Sequence, residues 1–194
     1  MGDPALEQLA AWGNYYVIVG SAAGGLTGLM FVVIALAAQV NSLGTERGLS
    51  AFASPTIVHF CAVLITAAVI ASPGHHAAAL GPLFAAGGLV GIVYVAWAMR
   101  QGMQQADYTP VRSDWIWHAW VPSLAYAAIL GAGATMVAGA LDAGLYVLGA
   151  ATLLLLFTGI HNAWDTAIWI ALWNRPGRKP PAGPESPQPP RDAH

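Results

Sequence analysis

Residues 159–169 read GIHNAWDTAIW, and they lie near the end of an apolar run, 143–173, that reads as one long helix. At about 1.5 Å per residue the run can cross roughly 30 Å of hydrocarbon. A histidine, an asparagine and an aspartate within five positions are costly there. An aspartate alone carries roughly 2.5–3.5 kcal/mol on insertion scales, and ionisable groups in spans face partners or water. The stretch therefore predicts a helix packed among others, and the fold class is all-α: a polytopic transmembrane helix bundle. A wheel at about 100° per residue puts Thr158, His161, Asp165, Trp169 and Leu172 along one side, with Asn162, Thr166 and Trp173 adjoining. Leu156, Ile160, Ala163, Ala167 and Ile170 fall opposite, toward lipid.

Composition agrees with this reading. The 194 residues are 57% hydrophobic and 8% charged, against roughly 25% charged in an ordinary soluble domain. Mean hydropathy is +0.58. Runs at about 14–40, 55–72, 80–100 and 119–140 bring the predicted spans to five. Ser54-Pro55, Gly81-Pro82 and Pro122 mark the starts of the second, third and fourth. Residues 174–194, NRPGRKPPAGPESPQPPRDAH, hold seven of the thirteen prolines and too few apolar groups for a core, which predicts a Pro-rich disordered tail. The first twelve residues carry Asp3 and Glu7 but no Lys or Arg, so they lack a signal-peptide n-region and the first span is expected to be retained.

Charge placement predicts orientation. Arg47, Arg100, Arg112, Arg175, Arg178, Lys179 and Arg191 all fall on one side of a five-span chain, which puts the carboxyl end in the cytoplasm and the amino end outside. Trp12 at one face and Trp97, Trp115, Trp117, Trp120, Trp169 and Trp173 at the other read as interfacial belts. A net charge of −2 supplies no basic patch for phosphates, so nucleic acid is excluded as a partner. The lipid bilayer is the expected environment. Cys61, the single cysteine, reads as a plain buried thiol.

In the first span Gly20, Gly24 and Gly28 recur every four residues and share a stripe along which a second backbone can approach. The third span repeats the device with Gly87 and Gly91: AAGGLTG (22–28) and AAGGLVG (85–91) differ at one position. Both a duplication of helix pairs and convergence on a packing motif account for this. The stripes predict close helix contacts of glycine-zipper type, within the chain or in a homo-oligomer.

The polar groups gather at one depth. His59 lies about 6 Å in from Pro55, on a stripe with Thr56, Val63, Thr66 and Ile70. Tyr94 falls near the end of the third span, and Ser123 and Tyr126 near the start of the fourth. With His161, Asn162 and Asp165 they form a candidate pocket or pathway in the cytoplasmic leaflet, whereas the outer half offers only Tyr15, Tyr16, Ser21 and Tyr146. His75, His76 and His118 read as solvated loop residues. No GxSxG, HExxH, Walker or dinucleotide motif occurs, so no catalytic residue is assigned. The candidate metal ligands are His59, His161 and Asp165.

The pairing of YYVIVGSAAGGLTGLMFVVIAL in the first span with GIHNAWD in the fifth resembles small bacterial integral membrane proteins of unassigned function. The resemblance implies a bacterial inner-membrane setting and carries over no reaction and no functional residues. Three functions fit the residues. The first is an ion or proton pathway, an ion channel or a small-solute carrier, in which Asp165, His161 and His59 form a titratable station. The second is a non-catalytic scaffold or partner subunit, in which the polar layer only fixes packing. The third is a metal or haem protein ligated by His59 and His161.

Overall fold

The computed structural model describes the backbone of residues 4–39, 46–73, 77–103 and 115–173. The expected tail 174–194, the His75-His76 pair and Arg112 lie outside the described residues. Among those described, all regular structure is helical and no strand occurs. The helices are α1 (Pro4–Ala11), α2 (Gly13–Gln39), α3 (Glu46–Ala71), α4 (Ala77–Met103), α5 (Val121–Val137) and α6 (Leu141–Trp173). A π-helical turn, Ile116–Trp120, leads into α5. Four stretches are long and apolar enough to cross a membrane: Gly13–Ala35, Ala77–Met103, Ile116–Val137 and Leu141–Ile168. Pro55–Ala71, within α3, is a shorter apolar helical stretch.

Two helices start earlier than their punctuation predicts. Pro55 and Pro82 lie inside α3 and α4 instead of opening them. A proline lacks the N–H that would bond the carbonyl four residues back. In α4 this falls close to the amino end, where few such bonds exist yet, so the helix absorbs it. The α5–α6 turn is tight, and Gly139 takes φ 89° there, a conformation open to glycine.

The helices form two hairpins, α2 with α3 and α4 with α5, and α6 runs between them against α5 and α3 with a lighter contact to α2. The hairpins themselves meet only lightly, through α3 with α4 and through the His59–Tyr126 contact of α3 with α5. Leu145, Leu148 and Leu155 of α6 are therefore fully enclosed, facing a core that includes Phe60 and Val63 of α3 and Ile129 and Ala132 of α5.

Small residues set the closest approaches, though not at every expected position. Gly20 packs on Ala67, where an added Cβ would stand 2.7 Å from the alanine methyl. Gly24 sits at the edge of the same contact, 4.0 Å from Leu64 by the same measure, while Gly28 and Gly87 meet nothing within 4 Å in this chain. In the second hairpin Gly88 lies against the backbone of Tyr126 and Leu130, Gly133 against that of Ala85, and Gly91 against the Tyr126 ring. No side chain fits at these three positions unless a neighbouring backbone or ring moves.

Candidate functional site: a polar layer around the π turn

The layer begins with a proline. In the π turn the Val121 N–H bonds the Ile116 carbonyl, five residues back. Continuing that register, Trp117 would take its hydrogen bond from residue 122, which is proline and has none to give. The Trp117 carbonyl instead accepts from Asn162 Nδ2, reaching across from α6 at a long 3.4 Å. Trp117 also lays its ring on His161, stacked at 3.9 Å between centroids and 12° from parallel. One residue of the turn thus engages two consecutive residues of α6.

His161 in turn faces Asp165 one helical turn on, with Nδ1 to Oδ2 at 3.2 Å. The contact is at ion-pair distance but is not aligned as a hydrogen bond. Asp165 is 53% exposed and His161 32%, and α6 continues past Asp165 to Trp173. Asn162 is the innermost of the three, at 1% exposure.

The layer's second half is a buried contact between the hairpins. His59 Nδ1 and the Tyr126 hydroxyl are 3.0 Å apart, both residues fully or nearly enclosed. Glycines make the room: Gly91 lets the Tyr126 ring lie against α4, and Gly159 leaves space on α6 for Phe60, the residue next to His59. Tyr94 lies within electrostatic range of Tyr126, and His118 of His59. Trp117 thus ties the π turn to α6.

Several expectations are corrected here. His161 and Asp165 are not the most inward groups of α6; Asn162, Thr158 and Thr166 are, and Leu156, expected toward lipid, is 7% exposed. The reason is that α6 is central and buries two sides, whereas the wheel assumed one. His118, read as a loop residue, is partly enclosed in the π turn. Ser123 is partly buried and Tyr94 leans toward Trp97, 6.0 Å between ring centroids. His59, His161 and Asp165 do not form a metal cage, and no group of three His, Cys, Asp or Glu among the described residues does.

Three buried threonines of α6 satisfy themselves. Thr152, Thr158 and Thr166 each donate to the carbonyl four residues back, at 2.7, 2.7 and 2.9 Å. The side-chain oxygen of Asn162, Oδ1, is buried without a hydrogen-bond partner.

Away from this layer, an aromatic cluster closes the other end. Trp12 packs on Tyr15, Tyr16 and Tyr146 at 5.4, 6.1 and 5.1 Å. Gly149 gives the Trp12 ring its place on α6, and the Tyr15 hydroxyl donates to the Gly149 carbonyl at 2.6 Å. Trp12, expected as an interfacial anchor, is the centre of this cluster. The missed signal was the i, i+3, i+4 spacing of Trp12, Tyr15 and Tyr16, which puts three rings on one face.

No protein-family model, curated protein or solved structure matches the chain.

Proposed function

We propose that the chain is a five-span protein of a bacterial inner membrane, amino end outside, and that the polar layer is a cytoplasm-facing station for protons or small ions on a gated pathway or carrier route. The five-span reading counts the apolar part of α3 with the four longer stretches and rests on the one-sided placement of the basic residues. The observation that carries the functional reading is the arrangement around Trp117: a stacked His161 paired with a half-exposed carboxylate, beside an enclosed His59–Tyr126 pair. Histidine changes charge near physiological pH, and a hydrogen-bonded His–Tyr pair can pass a proton without moving either backbone. The station opens toward the cytoplasmic edge, while Leu145, Leu148 and the Trp12 cluster fill the opposite half. A route outward then requires a dry gate or a path between subunits.

That filled half also favours a second reading, a partner subunit whose polar layer is only structural. Purified protein in liposomes separates the two. The pathway reading expects ion or proton flux above empty vesicles and its loss in Asp165→Asn, with the variant still folded. Absence of flux for the wild type under both pH and ion gradients would leave the partner-subunit reading standing.

A further inference from the structure

We propose that the end of α4 carrying Trp97 and Arg100 binds the headgroup of an anionic phospholipid, whose chains lie along the exposed face of the same helix. The inference is independent of the station reading and holds whether or not the polar layer passes ions.

The first step is the level of the site. α4 and α5 run antiparallel, with Gly88 against the backbone of Tyr126 and Leu130 and Gly91 against the Tyr126 ring. Trp97 follows Gly91 by six residues and Trp120 precedes Tyr126 by six, so the two tryptophans stand at about one level. They are 54% and 70% exposed. Two indoles held outward at one level on neighbouring helices mark the boundary between hydrocarbon and headgroups, where an apolar ring with one N–H is best accommodated. Arg100, exposed in the last turn of α4, lies roughly 4.5 Å further along the axis than Trp97.

The second step is charge. Among the described residues no carboxylate stands at ion-pair distance from Arg100. Asp165 is engaged by His161 on α6, a helix packed on α5 and α3. An unneutralised guanidinium is costly in hydrocarbon, so its head stays at the polar edge while its stem lies along apolar surface. There its planar fork suits two oxygens of a phosphate. Charge selects the lipid, because a zwitterionic headgroup brings its own cation and a net negative one does not.

The third step is the shape beneath. Tyr94 lies against the Trp97 ring, 6.0 Å between centroids and 37° between planes, and so braces the indole. Val90 and Val93 are exposed on the same side of the helix. At Gly87, next along this face, an added Cβ would meet nothing within 4 Å, so the missing side chain leaves a shallow notch. The face therefore runs from apolar to aromatic to cationic, the order of a phospholipid from tail to head.

Native mass spectrometry of the full chain in detergent micelles, titrated with dioleoyl phosphatidylglycerol or dioleoyl phosphatidylcholine, tests this. The first phosphatidylglycerol should bind about five-fold more tightly than the first phosphatidylcholine, the ratio expected from one basic residue at a membrane surface. Arg100→Gln should remove most of that preference and leave the chain folded, since the side chain is exposed. Replacing Arg175, Arg178, Lys179 and Arg191 together by Gln should leave the preference in place. Trp97→Ala should weaken both lipids by about three-fold, as loss of an aromatic contact does. Equal wild-type affinities for the two lipids overturn the proposal. So does a full preference in Arg100→Gln, or its loss with the four distal cations instead, or unchanged affinity in Trp97→Ala.

Discussion

AAGGLTG in α2 and AAGGLVG in α4 are nearly one heptapeptide in two settings. In α4 the second and third glycines, Gly88 and Gly91, are pressed against α5; their counterparts in α2, Gly25 and Gly28, meet nothing within 4 Å. The first hairpin instead closes on Tyr16, Val19, Gly20, Ala23 and Met30. The second closes on Gly81, Phe84, Gly88, Gly91 and Val95, whose counterparts in α2 are Ile18, Ser21, Gly25, Gly28 and Val32. At about 100° per residue the two buried faces lie on nearly opposite sides of their helices. A duplicated hairpin would keep its face, so the packing gives no support to descent by duplication. The difference teaches that such a motif licenses close approach without choosing a partner. The partner chooses: α5 brings a tyrosine ring and a glycine to one face, and α3 brings Ala67 to the other.

The sharpest way to break this contrast is to put the same bulk at equivalent positions. Gly91→Leu drives a side chain into the Tyr126 ring and should cost about 3 kcal/mol or more, or prevent folding, as overpacking does. Gly28→Leu should stay within about 0.5 kcal/mol in thermal unfolding of the monomer. Equal losses at both positions would show that the α2 face is covered too. If light scattering then reports that Gly28→Leu dissociates an oligomer, a second copy is what covers it.

Tyr126→Phe comes next. It deletes the hydroxyl that meets buried His59 across the two hairpins and should cost about 1–3 kcal/mol by denaturation in mixed micelles. A neutral outcome would mean that His59 finds another partner and the hairpins are not joined there.

A smaller effect tests the link through the π turn. Asn162→Ala should cost about 1 kcal/mol in the native sequence, where Trp117 depends on it, and less in a Pro122→Ala background that restores a backbone N–H. The double-mutant cycle should therefore be non-additive. Additive losses would disconnect Pro122 from Asn162.

The smallest stability change is expected from Asp165→Asn, within about 0.5 kcal/mol, because a half-exposed i, i+4 pair contributes little. Its effect should appear in flux instead. A large loss of stability without any loss of flux would make Asp165 a structural residue.

Helix class, the long apolar stretches and the gathering of His59, Tyr126 and the α6 polar groups at one depth are all legible in the chain, because they follow from hydropathy and from distance along a helix. Rotation is not legible. Whether Asn162 or Asp165 points inward depends on how many neighbours α6 has, and residue spacing carries no record of that. The π turn was half visible: Pro122 could be read as a helix start, but the carbonyl it deprives lies five residues upstream and its replacement donor forty residues downstream of the proline, so the compensation appears only in three dimensions. The aromatic cluster is legible in the spacing of Trp12, Tyr15 and Tyr16, yet its closure depends on Gly149 of a distant helix.

The central claim is asymmetry: a station reached from the cytoplasm and a filled opposite half. Thiol labelling by a membrane-impermeant reagent tests it most directly, with Cys61→Ala as background and Asp165→Cys or Thr152→Cys placed in sealed vesicles of each orientation. The account predicts that position 165 is labelled from the cytoplasmic face alone and that position 152, fully enclosed beneath the Trp12 cluster, is labelled from neither. Labelling of position 152 from outside, or of position 165 from outside only, would contradict it.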